Sequence, residues 1–572
     1  MNTKGLVQRL LPTLYEDDAL LALSKPAGVD VGGLKDQTAA GLLELLPAIR
    51  PKGERLFAVN RLSRYESGVL LLAKDADVSR RLRDALKAMR IRQTYAAVVL
   101  GRMSKPRMVI DPGRGSSRGR PRSGRFDGAR RRRRMPPANA ASAGEARTGL
   151  QVVREGPRRS LIRCQTTLPT THGLRAQLRS VRLRLLGDRV HDPSSRLAAH
   201  SDTCLHLTHA QFDHPQAKKK VTVKSAPPEG FAAALEGERD VRRALHAALT
   251  RRLPCLVERD TDSYRLLTGP VEDVPGVVAE KYGDVVVLQV LEDRPTVVGS
   301  LPVIAKWYRD VLHLRAVYAK RFVKQREQID EAVAKSLYDA KPLVGERAAP
   351  EIEILERGLR FAIRPYEGFS VGLFLDHRDN RTRVREMAAG YEVLNLFAYT
   401  CGFSVAAAAG GAKSTVSVDL SPKHLEWGRT NFALNGVALE NHQFIRSGAM
   451  DYLKRAKRQG KRFDLILLDP PSFAHGRQAK QRFSILTDLP ALVAAALEVL
   501  RPRGTMMIAA NHRKMSLRNL RERIHAGAAG RPYRVMATPP LPPDFAMDRD
   551  HAKTQYVQFD EPKPDATDGE PG

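Results

Sequence analysis

The apolar positions in residues 346–560 form short runs that are separated by small and polar residues. One run, 393–397, is followed by the small-residue turn 400–402 and then by the Ala-rich stretch 403–409. This pattern predicts a buried β-strand, a tight turn and a helix. Small turn residues let the backbone approach a ligand closely, and in a doubly wound sheet a nucleotide-like cofactor binds at such a corner.

Further strands and helices alternate along the same region. The apolar strands in the order βαβα predict an α/β domain with a Rossmann-like, mainly parallel, doubly wound sheet and helices on both of its faces. The predicted strands are 352–361, 412–419, 463–469 and 504–510, and the predicted helices are 422–435 and 486–500.

Two acidic positions follow strands of this domain. Asp419 ends the second strand about 20 residues after the turn, where an acid can accept hydrogen bonds from ribose hydroxyls. The alternative role is that of a helix N-cap, for which Ser421 is an equally good candidate. Asp469 precedes Pro470 and Pro471, which fix the backbone so that the carboxylate points into the cleft. A dinucleotide dehydrogenase would need a G-x-G-x-x-G turn, which this stretch lacks.

Two regions precede this domain. Residues 233–345 alternate strands (261–267, 274–282, 284–290 and 316–322) with helices (236–252 and 295–312), which predicts a small α+β domain. Residues 1–232 predict an α+β domain that is rich in β-structure, with a helix at 77–89 and a strand at 94–101.

An insertion in the first domain, about 102–146, is rich in Arg, Gly, Ser and Pro. Residues 102–134 contain 13 Lys and Arg residues against two acids, Asp111 and Asp127. The composition fits both a disordered loop and an arm that binds the RNA backbone. The densest cluster is Arg130, Arg131, Arg132, Arg133 and Arg134.

The charge balance of the whole chain favours a polyanionic partner. The 572 residues include 95 Lys+Arg and 63 Asp+Glu, so the net charge is +32. Nucleic acid is favoured over a membrane surface. The four cysteines show no CxxC spacing, so we expect neither a metal site nor a disulfide framework. Without an apolar run of membrane-spanning length, we expect a soluble, cytoplasmic protein with a disordered acidic tail at 561–572.

Several motifs of the first domain resemble those of RluA-type pseudouridine synthases. They are KPAG (25–28), NRLSRYESG (60–68), QTYAAVVLG (93–101), PTTHGLR (169–175) and RLAAHS (196–201). The resemblance places the catalytic Asp of that family at Ser63, and a serine without an adjacent base is a poor substitute. We therefore expect an inactive synthase domain that is retained for RNA binding, with Arg64, Tyr95 and Arg175 as RNA contacts. Residual synthase activity is the alternative.

A second set of motifs resembles class I S-adenosylmethionine-dependent 23S rRNA methyltransferases, namely the I type and the guanine-N7 domain of the K/L type. The motifs are GLFLDHR, NLFAYTCGFSVAAAAGGA, VDLSPKHLEW, FDLILLDPPSF and GTMMIAANHRKM, and residues 261–284 resemble the central domain of the I type. The resemblance implies S-adenosylmethionine as cofactor and Asp469, Pro470, Pro471 and Phe473 as the catalytic motif, with Phe473 stacking on the target base. The implied cofactor pocket contains Phe374, Asp376, His377, Arg378, Asn395, Phe397, Tyr399, Thr400, Gly402, Asp419, Leu420, Ser421, Gly448, Ala449 and Asp469. Gly448 stands where the family has an acid for the adenine amino group, and Asp451 comes three residues later.

The methylated atom is predicted from the cysteines. Methylation of cytosine C5 needs a thiolate that adds to the ring. Ala509, Ala510 and Asn511 stand where the I type carries a Cys, and Cys401 lies in the cofactor turn. Transfer to a base nitrogen needs alignment above all, and guanine N7 has no proton to lose. We therefore expect guanine-N7 methylation of 23S rRNA, with Arg513 and Lys514 on RNA phosphates. The oligomeric state stays open.

Two other functional classes remain open at this point. The first is a non-catalytic RNA-binding or ribosome-assembly factor, because one enzyme-like domain has already lost its catalytic residue. The second is a methyltransferase that acts on protein or on a small molecule, which the net charge of +32 disfavours.

Overall fold

A computed structural model describes residues 3–32, 41–48, 50, 54–111, 146–188, 203–236, 241–272, 274–291, 300–322, 331–471, 473–475, 482–512, 515–546, 548 and 552–560. The chain divides into two compact units, Met1–Val257 with Glu272–Pro275 and Glu258–Val271 with Gly276–Gly572. The expected boundaries near residues 232 and 345 stay predictions. The Arg cluster at 130–134, Arg513, Lys514 and the acidic tail lie outside the described residues.

The first unit is built around one large sheet. Its strands are β1 (Thr13–Glu16), β2 (Leu20–Lys25), β3 (Phe57–Ala58), β4 (Ser67–Ala73), β5 (Arg92–Leu100), β6 (Arg107–Ile110), β7 (Thr148–Glu155), β8 (Arg159–Thr166), β9 (Arg184–Leu185), β10 (Leu205–Asp213) and β11 (Lys220–Lys224). Its helices are α1 (Thr3–Leu10), α2 (Leu42–Leu45), α3 (Ala76–Lys87), α4 (Thr171–Ser180), α5 (Gly230–Glu236), α6 (Val241–Arg251) and α7 (Leu253–Leu256), with a 3₁₀ turn at Leu46–Ala48.

Strand order in this sheet, within the described residues, is β1-β2-β4-β10-β5-β8-β7-β6, and β3, β9 and β11 join it at β4, β5 and β10. All seven residues of β4 are buried, which explains its almost continuous apolar sequence. Helix α3 begins where the Asp75 carboxylate accepts hydrogen bonds from the amides of Asp77 and Val78. Helix α6, predicted as part of the middle region, belongs to this unit.

The second unit contains the remaining strands and helices. Its strands are β12 (Tyr264–Leu267), β13 (Val277–Tyr282), β14 (Val285–Leu291), β15 (Ala316–Phe322), β16 (Val344–Gly345), β17 (Ile352–Glu356), β18 (Leu359–Ile363), β19 (Glu392–Leu396), β20 (Ser414–Asp419), β21 (His442–Arg446), β22 (Phe463–Leu468), β23 (Phe473–His475), β24 (Arg482–Ser484), β25 (Leu500–Ala510), β26 (Tyr533–Met536) and β27 (Lys553–Phe559). Its helices are α8 (Leu301–Leu312), α9 (Glu331–Tyr338), α10 (Arg378–Met387), α11 (Gly402–Ala409), α12 (Pro422–Leu434), α13 (Ala449–Arg458), α14 (Leu489–Leu497) and α15 (Leu517–Ala528). Short 3₁₀ turns lie at Pro270–Glu272, where the chain changes unit, and at Leu375–His377.

A mainly parallel sheet forms the centre of this unit. Its order, over the part of the chain that the structure describes, is β21-β20-β19-β22-β25-β27-β26. The first five strands are parallel, with Leu394 paired to Val416 on one side and to Ile466 on the other. The last two are antiparallel. This confirms the predicted Rossmann-like fold, and it brings the carboxyl ends of β19, β20 and β22 to one edge.

Two details differ from the predictions. Residues 352–361, predicted as one strand, form the antiparallel hairpin β17–β18, because the chain reverses at Arg357 (φ 49°) and Gly358 (φ 77°). The antiparallel strands β26 and β27 were not predicted, although β27 packs beside β25 in the middle of the core. The small sheet β12-β13-β14-β15-β16 agrees with the expected α+β region.

Candidate active site

A cavity of about 570 Å³ opens at the carboxyl ends of β19, β20 and β22. Its volume lies within the range of roughly 300–1,000 Å³ that is typical of cofactor and ligand sites. Aromatic rings and carboxylates share its walls. The lining residues are Ser370, Leu373, Phe374, Asp376, His377, Arg381, Phe397, Ala398, Tyr399, Thr400, Gly402, Phe403, Val418, Asp419, Leu420, Ser421, His424, Ser447, Ala449, Asp469, Pro470, Pro471 and Asn511.

The turn after β19 forms the floor of this cavity in a strained conformation. Phe397, Tyr399 and Cys401 all have left-handed backbones, with φ of 60°, 48° and 62°. Such residues cost about 1–2 kcal/mol each and persist only when their surroundings hold them in place. The Asn431 side chain donates to the Thr400 carbonyl at 2.8 Å, and the Ala398 amide donates to Val418 at 3.0 Å. These hydrogen bonds therefore hold the strained turn in the shape that forms the cavity floor.

Asp419 connects this turn to the start of α12. Its Oδ2 accepts from the Tyr399 amide and its Oδ1 from the Ser421 amide, both at 2.9 Å. The N-cap of α12 is Ser421, whose Oγ accepts from the His424 amide at 3.2 Å. Asp419 is therefore not the helix cap, and its carboxylate faces the cavity with lone pairs to spare.

The segment 370–374 forms the opposite wall and approaches α12 closely. Gly372 has φ +131°, and a Cβ at this position would lie 2.5 Å from Trp427 Cζ2 and 2.8 Å from the Ala362 carbonyl. The Gly372 carbonyl accepts from the Thr400 hydroxyl, which ties this wall to the floor. Phe374 is 44% exposed, and its ring centroid lies 5.3 Å from that of Tyr399.

Two acidic groups and a histidine meet near the two prolines. His377 Nε2 lies 3.4 Å from Asp469 Oδ2, and the imidazole is buried. Burial disfavours the imidazolium, but the carboxylates of Asp469 and Asp376 outweigh this effect and raise the pKa of His377. Arg381 is held by Glu356 through two hydrogen bonds of 2.6 and 2.7 Å. Negative charge therefore dominates this end of the cavity.

These walls fit S-adenosylmethionine. The carboxylates of Asp376 and Asp469 suit its positive sulfonium, Asp419 suits its ribose hydroxyls, and the rings of Phe374 and Phe397 suit its adenine.

Comparisons with known proteins agree with this fit. Residues 325–553 match the family model of S-adenosylmethionine-dependent methyltransferases, and residues 19–180 match that of RNA pseudouridylate synthases. A ribosomal RNA large subunit methyltransferase of Deinococcus radiodurans is 31% identical over 333 residues, which cover 55% of this chain and 78% of the relative. This chain belongs to the family of ribosomal RNA large subunit methyltransferases. It is an S-adenosylmethionine-dependent enzyme, as predicted.

Other relatives cover parts of this methyltransferase. The ribosomal RNA large subunit methyltransferase K of Neisseria meningitidis is 40% identical over 174 residues, or 30% of this chain and 49% of the relative. Among solved structures, the methyltransferase SMU.776 complexed with SAH is 27% identical with a TM-score of 0.51. That match covers 62% of this chain and 88% of the solved one.

Three predicted pocket residues of the methyltransferase lie outside the cavity lining. Arg378 is fully buried and pairs with Asp544, because it faces the loop before β27. The side-chain amide of Asn395 donates from Nδ2 to Ser404 Oγ at 2.9 Å, behind the turn. Gly448 caps α13, and its neighbours Ser447 and Ala449 line the cavity instead.

Asp451 and Phe473 each lie two residues after a residue that lines the cavity. Asp451, an alternative to the missing acid at Gly448, is exposed and is not among the lining residues. Phe473 starts β23, which pairs with β24, but its side chain lies outside the described residues.

The sequence interpretation missed several lining residues. Ser370 and Arg381 carry little local signal, because a tertiary approach brings them to the cavity. Ser447 and Asn511 do carry a signal, since they directly follow β21 and β25 and so lie at the same edge of the sheet as Asp419. The missed residues are Ser370, Leu373, Arg381, Ala398, Phe403, Val418, His424, Ser447 and Asn511.

Cys401 is the cysteine of the second unit, and it does not line the cavity. Its side chain is fully buried, and burial raises the pKa of its thiol to about 12. The thiol is therefore protonated at neutral pH. The other cysteines, Cys164, Cys204 and Cys255, are buried in the first unit.

The synthase-like site of the first unit holds a buried charge network. Arg175 pairs with Glu66, at 3.1 Å from Nη1 to Oε1, and also with Asp188. Glu66 Oε2 accepts from the Ser63 amide at 2.8 Å and from Thr171 Oγ1 at 2.9 Å. The Ser63 hydroxyl is buried without a hydrogen-bond partner in the described part of the chain.

Tyr95 and Arg175 were expected to contact RNA, but both are buried and therefore not available to it. Tyr95 is 2% exposed and donates its hydroxyl to Gln93 Oε1 at 2.8 Å. Arg175 is 7% exposed and already bound to two carboxylates. Arg64 is half-buried, and its Nε donates to the Gly28 carbonyl at 3.1 Å.

The described residues contain neither a membrane-spanning helix nor a metal site. None of the helices there has both the length and the apolar character to cross a bilayer. Within the same ranges, no group of three or more His, Cys, Asp or Glu residues is arranged to hold a metal ion.

Proposed function

We propose that this methyltransferase modifies a base nitrogen of 23S rRNA, with N7 of guanine as the favoured atom. We also propose that its first unit is an inactive synthase domain that binds RNA. The observation that best supports the choice of nitrogen is the buried, non-lining position of Cys401. Two observations support RNA as the class of substrate. The relatives are named as ribosomal RNA methyltransferases, and the chain has a net charge of +32.

Methylation at cytosine C5 requires a thiolate beside the target base. The thiol of Cys401 has a pKa raised to about 12 by burial, and the cysteines at 164, 204 and 255 are buried as well. A base nitrogen carries its own lone pair and needs no covalent help. Guanine N7 also has no proton to remove, so the cavity needs to position the base more than to deprotonate it.

When it is bound, S-adenosylmethionine supplies a methyl group activated by a positive sulfonium. Asp419 would hold the ribose hydroxyls, and Phe374 and Phe397 would hold the adenine. Asp376 and Asp469 would stabilise the positive sulfonium, while Pro470 and Pro471 fix the carboxylate and carbonyl groups that would orient the target base. Ser447 and Ala449 would contact the adenine, since Gly448 offers no acidic side chain.

The network around Arg175 supports an inactive synthase site. Ser63 has no carboxylate to offer, and the two acids nearest to Arg175, Glu66 and Asp188, are both occupied by that guanidinium. A carboxylate that is buried in an ion pair is poorly placed to act as nucleophile or base. The first unit then contributes RNA binding through Arg64 and the Arg-rich insertion.

Mass spectrometry of large-subunit rRNA nucleosides from cells with and without this protein tests the proposal. We expect one 7-methylguanosine to disappear with the protein and the pseudouridine content to stay unchanged. Loss of 5-methylcytidine instead would overturn the choice of atom, and loss of a pseudouridine would overturn the inactive synthase. Unchanged rRNA would overturn the substrate.

A further inference from the structure

Four aromatic side chains of the second unit form a strip close to the mouth of the cofactor cavity. We call Phe322, Tyr338, Tyr366 and Phe369 the aromatic strip. Tyr338 is 64% exposed, while the other three are half-buried. Neighbouring apolar rings that are exposed together, unlike single exposed side chains, mark interaction sites.

Ring contacts connect the strip across two parts of the unit. Phe322, at the end of β15, has its ring centroid 5.4 Å from that of Phe369. Tyr366 lies 5.5 Å from Tyr318 of the same strand. The Tyr338 hydroxyl, at the end of α9, lies 3.9 Å from the position that a Cβ on Gly368 would occupy. The small α+β region and the loop 366–374 therefore present their rings together.

The loop 366–374, which carries Tyr366 and Phe369, is fixed by hydrogen bonds along its length. Lys320, which is 1% exposed, donates from Nζ to the Gly368 carbonyl at 2.7 Å. The Tyr366 hydroxyl donates to the Ala348 carbonyl at 3.2 Å, and the Gly372 carbonyl accepts from Thr400. The rings are therefore positioned before any ligand arrives, which reduces the entropy cost of binding.

The strip continues directly into the cavity. Ser370 follows Phe369 in the chain and lines the cavity, as do Leu373 and Phe374. The neighbouring nucleotides of a base that enters the cavity would have the rings of this strip within reach. Unpaired bases stack on aromatic rings irrespective of sequence.

Charges around the strip are mixed, which favours stacking over phosphate binding as its main role. The Arg347 guanidinium lies 5.7 Å from the Tyr366 ring centroid and can also face a base. The exposed charged residues nearby are Arg321, Lys341 and Arg347 against Asp339 and Glu346.

We propose that the aromatic strip is a subsite for the single-stranded RNA nucleotides that flank the target base, which it binds by stacking. This inference rests on the proposed RNA substrate. RNA is favoured over a protein partner because the strip is continuous with the cavity and the chain has a net charge of +32.

Fluorescence anisotropy of the full chain with a short labelled oligoadenylate tests the subsite. Tyr338→Leu and Phe369→Leu keep an apolar side chain but remove the ring face, so each should weaken binding about 5-fold or more. The slope of log affinity against log salt concentration should stay unchanged, because no charge is removed. Tyr533→Leu on β26 removes a half-buried ring elsewhere and should bind as the wild type does.

Calorimetry with S-adenosylmethionine and methyl transfer to rRNA separate this inference from the proposed function. Variants that bind oligoadenylate like the wild type, while the wild type still methylates rRNA, would overturn the subsite. A wild type that binds S-adenosylmethionine without methylating rRNA would overturn the proposed function, and the anisotropy would still report on the strip.

Discussion

The imidazole of His377 contacts the carboxylate of Asp469, with 3.4 Å between Nε2 and Oδ2. His377 belongs to the 3₁₀ turn before α10, whereas Asp469 directly follows β22. The contact thus joins two segments that line the cavity, the end of β22 and the turn before α10. It also couples the protonation of a buried histidine to the folded state.

The pKa of His377 predicts how stability depends on pH. Asp469 and Asp376 raise this pKa above its unfolded value against the effects of burial and of Arg381. The resulting stabilisation is complete below the unfolded pKa and is lost as pH rises through the folded pKa. Urea denaturation at several pH values should show this decline in the wild type and a flatter profile in His377→Gln. Identical profiles would contradict the contact.

Asp419→Ala should weaken S-adenosylmethionine binding by about 10- to 100-fold, because hydrogen bonds to a charged acceptor contribute about 1.5–3 kcal/mol. Isothermal titration calorimetry measures the effect. Asp451→Ala removes an exposed carboxylate that does not line the cavity and serves as the matched control. Equal affinities of the two variants would show that Asp419 does not hold the ribose.

Gly372→Ala should lower the free energy of unfolding by about 2–4 kcal/mol, since the new Cβ would overlap Trp427 as well as strain the backbone. Gly358→Ala isolates the backbone effect: its φ is +77° and nothing lies within 4 Å of the added Cβ. The free energy of unfolding of that variant should fall by about 1 kcal/mol. Chemical denaturation measures both free energies of unfolding. Equal decreases for Gly372→Ala and Gly358→Ala would mean that the wall at Gly372 is free to move.

Glu66→Ala should destabilise the first unit by about 3–5 kcal/mol, because it leaves a buried guanidinium with one carboxylate fewer. Lys87→Ala breaks the exposed pair with Asp84, whose side chains are 78% and 59% accessible, and should change stability by about 0.5 kcal/mol or less. The thermal midpoint of each variant checks the difference. A small effect of Glu66→Ala would indicate that Asp188 alone neutralises Arg175.

The strands and helices around the cavity were predictable because their apolar periodicity is strong. The predicted strand 463–469 corresponds to β22 and the predicted helix 422–435 to α12. The hairpin β17–β18 was harder to predict from the sequence, since its turn contains one glycine and a left-handed arginine inside an otherwise strand-like run. Local sequence does not show that the chain reverses there.

The composition of the site was only partly predictable. Arg378 belongs to the same motif as Asp376 and His377, but its side chain turns away to Asp544, 166 residues later in the chain. Tyr95 and Arg175 belong to motifs that suggest RNA contact, yet buried hydrogen bonds hold both. Motif membership predicts where a backbone segment lies, whereas the direction of a side chain depends on partners from distant segments.

Transfer of a labelled methyl group from S-adenosylmethionine to large-subunit rRNA, followed by nucleoside analysis, tests the central claim most directly. The wild type and Ser63→Asp should both label 7-methylguanosine, because Ser63 lies in the synthase-like site. Asp469→Ala should give no labelled nucleoside. Normal transfer by Asp469→Ala, or label in 5-methylcytidine, would contradict the account.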